Sequence, residues 1–453
     1  FLIQLASGGV NQTRHTQRKI CMPFEARASA PKKIAVIGAG ISGMGAAHML
    51  SEDHHVTLFE AEPRLGGHAR TKMAGKNGDQ PVDTGFIVFN YANYPHLAKL
   101  FKSLDVPVTK SNMTFAASFD DGRFEYALAT LGSLFAQKRN IVNPRFLGML
   151  KDIAKFNKHA LDATRVRSLS LGEFLKELVT GEWFRDYYLL PLTGAIWSTP
   201  TEKVMEFPAH ALVQFMENHA LLSVTGQHQW YTVDGGSIEY VRRLEASLRA
   251  RGATLRLGAP IDGVRRDGLG ADVKAQGAEW ERFDEVIFAT HSDDSLRLLS
   301  DATPMEKKAL SAIKYQPNRV VLHADASIMP KRRVCWSSWN YTESAQKEMN
   351  TIDLTYWMNS LQPIPESDPH FVTLNTTRPI REELIYDECE LRHPVYDLDA
   401  LAAQQVMRDM NGTHRTWFCG AWMKNGFHED GLSSAVDVVD AIRARNAVAV
   451  AAE

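Results

Sequence analysis

Residues 33–60 open with Lys33-Ile34-Ala35-Val36-Ile37-Gly38-Ala39-Gly40-Ile41-Ser42-Gly43, continue through an alanine-rich stretch to Asp53, and close with Val56-Thr57-Leu58-Phe59-Glu60. The unbroken apolar run before Gly38 suits a strand buried on both faces of a parallel sheet. The stretch after it reads as a helix, and Val56–Phe59 as a second buried strand. Gly38 permits a tight turn, Gly40 lets the backbone approach a diphosphate, and Gly43 lets the helix pack closely on the strand. A helix N-terminus supplies free N–H groups and a positive dipole end to phosphates, so Ala39 and Ser42 join the glycines as binding positions. Glu60 stands 22 residues after Gly38. A carboxylate there accepts ribose hydroxyls and repels a 2′-phosphate. A lone G-x-G-x-x-G is weak; with strand, helix and acid in order it predicts a dinucleotide site.

The next residues run Ala61-Glu62-Pro63-Arg64-Leu65-Gly66-Gly67-His68-Ala69-Arg70-Thr71. Here the chain resembles the FAD-binding amine-oxidase superfamily, in which an acid is followed by Arg-x-Gly-Gly and a basic residue. The resemblance implies that Ala61, Arg64, Gly66, Gly67 and His68 wrap the ribose-diphosphate of FAD. Asp83-Thr84-Gly85-Phe86 resembles the family segment beside the flavin. Asp234-Gly235-Gly236-Ser237 opens a helix bearing Tyr240, Val241 and Leu244. Leu255–Ile261 reads as a strand whose last residue, Ile261, meets the adenine in relatives. Phe283–Thr290 reads as the strand returning the chain to the sheet, ending at Thr290.

Trp417-Phe418-Cys419-Gly420-Ala421-Trp422 reads as a strand ending in Gly-Ala, and Trp422 is a candidate flavin neighbour. His428-Glu429-Asp430-Gly431-Leu432-Ser433-Ser434-Ala435 follows, with apolar residues then recurring at helical spacing. A helix is expected to start near Gly431, capped by Asp430. In the superfamily this helix points its N-terminus, with Leu432 and Ala435 close behind, at the flavin N1/O2 edge. Negative charge develops there on reduction, and a helix dipole stabilises it.

The fold expected is α/β: a Rossmann-like FAD-binding domain of the amine-oxidase (glutathione-reductase-2) type, interwoven with an α+β substrate domain. The FAD-binding segments are 31–95, 225–300 and 400–446; 96–224 and 301–399 form the substrate domain. Residues 1–30 are expected to be a flexible extension, with Met22 the first methionine. No second fingerprint follows a mid-chain strand, so electrons are not expected to pass through a second Rossmann unit.

Within the superfamily, Gly67–Thr71, Asp83–Asn90, Ala195-Ile196-Trp197-Ser198, Glu217-Asn218-His219 and Phe427–Leu432 resemble a narrower bacterial group. Its members are amine-oxidase-like proteins associated with cyclopropane-fatty-acid-synthase-like methyltransferases. That resemblance implies desaturation of a lipid acyl chain, including dehydrogenation of a methylated monoene on the route to furan fatty acids. It also implies a methyltransferase or electron-acceptor partner. Amine oxidation, carotenoid-type desaturation and redox-neutral flavin chemistry stay open.

Composition sets the remaining bounds. With 51 Lys+Arg against 53 Asp+Glu the net charge is −2, which argues against a nucleic-acid binder. Cys21, Cys335, Cys389 and Cys419 form no C-x-x-C pair, excluding a disulfide framework and fitting a reducing cytosol. Phe1–Val10 lacks a basic n-region, so no signal peptide is expected. The expected location is cytoplasmic, with contact at the inner face of the membrane as one option. That option rests on residues 131–160, where six basic residues (Lys138, Arg139, Arg145, Lys151, Lys155, Lys158) stand against Asp152. Phe146, Met149, Leu150, Ile153 and Phe156 fall on one helical face there. Such a helix either packs its stripe on the core or lies, through 138–158, on an anionic bilayer. Trp336, Trp339, Tyr341, Tyr356 and Trp357 are candidates for an apolar tunnel or for plain core.

The expected chemistry is hydride transfer from a substrate carbon to flavin N5. Amine-oxidase relatives place a Lys near N5; the corresponding strand here, Asn318–His323, offers none, leaving Asn318 or Arg319. His219, His323 and His428 are candidate bases because His exchanges protons near neutral pH. No cysteine lies in a covalent-flavin segment, so FAD is expected to be noncovalent. No metal site is indicated.

Overall fold

The computed structural model describes residues 30–163, 169–197, 204–219, 221–222, 226–345 and 352–452. Residues 1–29 of the expected extension, with Cys21, and Ser198 lie outside the described residues.

Five strands form a parallel sheet: β1 (Lys33–Ile37), β2 (His55–Phe59), β3 (Thr254–Arg256), β4 (Glu285–Phe288) and β5 (Thr416–Phe418), in the order β3-β2-β1-β4-β5. Ile34 aligns with Val56 on one side and with Glu285 on the other. The chain leaves β1 towards β2 and later returns at β4 on β1's opposite side. The crevice at the carboxyl end of β1 is therefore the topological switch point, where open α/β sheets bind ligands. Three helices serve this layer: α1 (Ile41–Leu50), α2 (Ile238–Ala250) and α3 (His428–Ala452). Helix α1 packs against α3, where a Cβ on Gly45 would stand 2.5 Å from Leu432.

Two expected strands are each divided between sheets. Leu255–Ile261 becomes β3 plus Ile261–Arg266, the latter in a three-stranded antiparallel sheet. Gly258 (φ +61°) and Pro260 break the run between them. Phe283–Thr290 divides at Asp284, which exchanges hydrogen bonds with Lys33: its N–H donates to the Lys33 carbonyl, and its carboxylate accepts the Lys33 N–H.

A seven-stranded mixed sheet forms the other layer, ordered 385–395, 314–323, 371–374, 354–357, 339–342, 115–119 and 124–127. Its core joins helices Pro144–Ala163, Leu171–Leu178 and Ala209–Asn218. Residues 131–160 are not one helix. A short turn at Leu131–Leu134 and a 3-10 turn at Lys138–Val142 precede the helix, which begins at Pro144, a residue suited to a helix's first turn. Phe146, Met149 and Phe156 are buried in the core, with Leu150 and Ile153 packed against it. The apolar stripe thus packs inward and is not a bilayer-facing surface. Among the described residues no helix is long and apolar enough to cross a membrane.

The aromatic group at 336–357 packs on itself and on the sheet core. Trp336 and Trp357 hold the Arg333 guanidinium at 3.9 and 4.4 Å, and Trp339 meets Tyr356 edge-on within the sheet.

Candidate functional site

The glycine turn sits at the end of β1. Gly38 takes φ +99°, and its N–H donates to the Phe59 carbonyl. A Cβ on Gly43 would lie 1.8 Å from the Gly38 carbonyl oxygen, so only glycine fits there. A Cβ on Gly40 would meet nothing within 4 Å. Gly40 is the N-cap of α1 and no side chain caps that helix, leaving its first N–H groups without partners. This is a cradle for an anion.

Glu60 closes one side of the cradle. Its carboxylate accepts the N–H of Ala39 at 2.7 Å and of Glu62 at 2.9 Å. Chain 256–259 bonds back to Glu60 and Glu62, which brings Ile261 to the same edge; Ala61 is exposed there. Thr290 lies against Gly38, its Cγ2 3.1 Å from where a Cβ would stand.

The second glycine turn docks on the first. The Gly66 N–H donates to the Ala39 carbonyl, and a Cβ on Gly67 would stand 3.0 Å from Gly40 Cα. Arg64 braces this turn from outside, donating to the Gly67 and Ala69 carbonyls. His68 projects from it with Nε2 buried and without a partner. An orphaned buried donor-acceptor is costly. Together with the uncapped α1 and the open space at Gly40, it fits a bound dinucleotide that supplies the missing contacts.

Around His68 the fold gathers imidazoles that sequence spacing did not reveal. The His291 and His393 rings lie 5.8 Å from it, and His393 Nδ1 is 3.3 Å from the Asn318 amide nitrogen. Burial lowers the pKa of His68 and His291 and pushes His393 down to about 3. These rings are neutral at pH 7. They arrive from three distant segments, and no local pattern announces them. The nearby carboxylates of Asp293 and Asp294 are both bound by Arg392 at 2.5 Å.

Alternation along strand 314–323 separates the two amine-oxidase substitutes. Asn318 is buried and faces His393. Arg319 points to solvent and pairs with Glu388 at 2.6 Å, so it is no catalytic group. His323 is also apart, buried with Nε2 on the Thr373 hydroxyl and Nδ1 accepting the Asp325 N–H. Both expectations are corrected: the first residue is spent on a surface ion pair, the second on the sheet.

Asp83 is a structural staple rather than a cofactor ligand. Its buried carboxylate accepts the Thr71 hydroxyl, the Ser237 N–H and hydroxyl, and the Gln362 amide. Thr84, Gly85 and Phe86 run beside His68–Arg70: the Phe86 N–H donates to the His68 carbonyl, and a Cβ on Gly85 would clash there at 2.0 Å.

Helix α3 starts three residues earlier than expected. Asp430 accepts the Phe427 N–H at 2.9 Å, half of a capping box. Glu429 accepts the N–H groups of His96 and Leu97, capping the Pro95–Ser103 helix. His428 stacks on Phe86 at 3.9 Å and is 2.7 Å from the Tyr240 hydroxyl through Nε2. Burial drives its pKa to about 3, so it is no proton acceptor near neutrality; its job is to clamp the start of α3. A Cβ on Gly431 would stand 2.8 Å from Ser42 Oγ and 3.6 Å from the Ala421 N–H nitrogen. The two helix N-termini therefore converge, with Gly420 and Ala421 between them. Ser434 locks this join by bonding both the N–H and carbonyl of Gly420. Leu432 and Ala435 are buried in the α1–α3 packing. Trp422 points away into the opposite core, donating to the Thr290 carbonyl.

Just ahead of α3 lies a packed aromatic cluster. Phe427 stacks on Phe215 at 4.8 Å; His219 stacks between Phe215 and Trp230, and Trp197 packs edge-on. His219 Nδ1 meets the Phe215 carbonyl, and burial lowers its pKa.

Known proteins match this architecture. Residues 41–349 fit the family model for flavin containing amine oxidoreductase. A 51-residue stretch is 47% identical to the L-amino acid oxidase Lm29 of Lachesis muta, spanning 11% of this chain and 10% of that one. The AofH protein of Mycobacterium tuberculosis, named as a flavin-containing monoamine oxidase, is 27% identical over 55% of this chain and 54% of its own. The chain thus spans about half, or less, of the curated relatives it matches. Among solved structures, a CLA-producing fatty acid isomerase from P. acnes superposes with TM-score 0.66 at 15% identity, over 91% of this chain and 99% of that one. Cyclohexylamine oxidase from Brevibacterium oxydans gives 0.66 at 15%, over 92% and 99%. The uncapped helix start, the docked glycine turns and the orphaned His68 are fitted to FAD, and the chain belongs to the flavin containing amine oxidoreductase family.

Proposed function

We propose that this chain is an FAD-dependent oxidoreductase that takes hydride from a C–H bond of a lipid acyl chain. The substrate in view is a methylated monoene dehydrogenated to a diene. The observation that supports it is the aromatic cluster before α3. Trp197, Phe215, Trp230 and Phe427 are uncharged, and His219 is held towards its neutral form. An apolar chain loses nothing on packing against such side chains, whereas an ammonium or carboxylate leaves its hydration uncompensated. Strand 314–323 carries Lys314 only at its outer end, paired with Asp397 at 3.1 Å.

Bound FAD supplies the two-electron acceptor. The first N–H groups of α1 and α3 would hold the two ends of the cofactor, and Glu60 would bind its ribose. The aromatic cluster would align the chain. In the reaction one C–H bond would break with its hydrogen and electron pair passing to the bound flavin, the neighbouring carbon would release a proton to bulk solvent, and a C=C bond would form between the two carbons. The substrate unit, 96–224 with 301–399, presents the chain to that crevice. The same fold serves a fatty acid isomerase in P. acnes, and it also serves an amine oxidase.

Anaerobic mixing of the holoprotein with methylated monoenoic phospholipid separates the two. Bleaching of the visible flavin band and appearance of a diene are expected. No bleaching by lipid, with peroxide release on adding amines in air, overturns the acyl reading.

A further inference from the structure

We infer that one face of the substrate unit, built on residues 128–151, docks on an anionic lipid bilayer. The inference concerns where the protein sits and stands whether or not acyl chains are its substrate. The face is not the helical stripe, which is buried, but the turns that precede it. Of the fourteen large apolar side chains exposed among the described residues, five fall within Leu128–Leu147: Leu128, Leu131, Ile141, Val142 and Leu147. Leu131 is 77% and Val142 80% exposed, far above what a turn needs for its own packing. Single exposed apolar residues are ordinary; a concentration of them marks a contact surface.

Within residues 128–151 every charged side chain is basic. Lys138, Arg139, Arg145 and Lys151 are exposed in the same stretch. Beyond it, Glu125 is buried and bound to Arg332, Asp152 accepts the Gly181 N–H, Asp120 and Asp121 are exposed, and Glu366 pairs with Arg333 at 2.8 Å. The Arg333–Cys335 turn packs beside Leu131–Leu134 and adds exposed Val334. Lys331, also exposed, precedes it. Protruding apolar side chains ringed by cations match the boundary between acyl chains and anionic headgroups. The same Pro144–Ala163 helix packs its inner side on helix Ala209–Asn218, which carries Phe215 of the aromatic cluster, so a bilayer on the outer side would lie one helix from that cluster.

The test is co-sedimentation of the holoprotein with vesicles of phosphatidylcholine alone or mixed with phosphatidylglycerol. Binding only to the mixed vesicles is expected. Each basic residue near an anionic surface contributes about a fivefold factor in affinity, so Lys138→Glu with Arg145→Glu and Lys151→Glu should abolish measurable binding. Ile141→Ser with Val142→Ser should weaken it at least about tenfold. These side chains are exposed, and unchanged flavin content verifies folding. No sedimentation with mixed vesicles, or equal sedimentation of all variants, overturns the inference. So does a dimer in solution that Ile141→Ser with Val142→Ser converts to monomer, since the face would then be covered by a second copy.

Discussion

The Glu60 carboxylate and the Ala39 amide are joined at 2.7 Å across the carboxyl ends of β1 and β2. The acid that follows the second strand thereby fixes the glycine turn that follows the first, with ribose recognition and diphosphate recognition sharing one side chain. Hydrogen bonds to a charged group are worth about 1.5–3 kcal/mol. Glu60→Ala should therefore weaken FAD binding roughly 10- to 150-fold, read by titrating apoprotein with FAD and following quenching of flavin fluorescence.

Gly40 and Gly43 should fail in different ways. Gly43→Ala drives a methyl into the Gly38 carbonyl at 1.8 Å and should lower the melting temperature of the apoprotein. Gly40 has φ −73° and open space beyond its Cα. Gly40→Ala should melt like the parent apoprotein yet bind FAD poorly, because the methyl occupies the diphosphate's place. A Gly40→Ala protein that keeps full FAD affinity would move the cofactor elsewhere.

Glu285 is the buried anchor of the sheet. It accepts hydrogen bonds from Lys32 at 2.7 Å and Trp417 at 2.5 Å, and it also pairs with Arg445. Burial opposes its charge, but these partners outweigh burial and hold the carboxyl below its usual range. Removing one member of a buried ion pair costs about 3–5 kcal/mol. Glu285→Ala should lose stability of that order in urea unfolding, well beyond an exposed pair such as Arg319–Glu388.

Glu429 should make stability fall as pH rises from about 4.5 to about 7. Burial raises its pKa from 4.5 to about 7. The folded state then holds the proton more tightly than the unfolded one, so its contribution is complete below about pH 4.5 and is lost as pH climbs through about 7. His393 and His428, pushed to about 3 by burial, act oppositely: their contribution is complete above about pH 6.5 and is lost as pH falls towards about 3. Above about pH 6.5 the two histidine contributions are constant and do not offset the decline set by Glu429. Glu429→Gln should flatten the decline of melting temperature between about pH 6.5 and 7.5.

Arg319→Ala and His428→Asn should leave the pH profile of kcat unshifted. Arg319 is a surface pair, and His428 is already neutral throughout the working range. His428→Asn should lower stability and flavin retention instead, since it breaks the stack on Phe86 and the link to Tyr240. A lost or shifted kinetic limb in His428→Asn would return that residue to proton transfer.

Local pattern made part of this molecule readable in advance. The β1–α1–β2 unit was legible because apolar runs, glycines at fixed spacing and one acid each answer a short-range requirement. The crossing of β1 between β2 and β4, and the convergence of α1 with α3, were readable only through resemblance. Divided strands were missed because an apolar run does not state which sheet it will join; Gly258 and Asp284 decide that. The stripe on the Pro144–Ala163 helix was legible as amphipathic, but whether core or bilayer covers such a stripe is settled by its neighbours.

The sequence by itself determined that this chain builds a dinucleotide cradle, since backbone freedom at Gly38, Gly40 and Gly43 and the carboxylate of Glu60 are properties of residues a few bonds or one strand apart. Only the tertiary structure decided the company of His68, the withdrawal of Arg319 and His323, and the conversion of Asp83 and His428 from candidate chemistry to clamps. Those outcomes depend on which side chains meet after chain segments hundreds of residues apart close on one another, and no spacing along the chain encodes such a meeting.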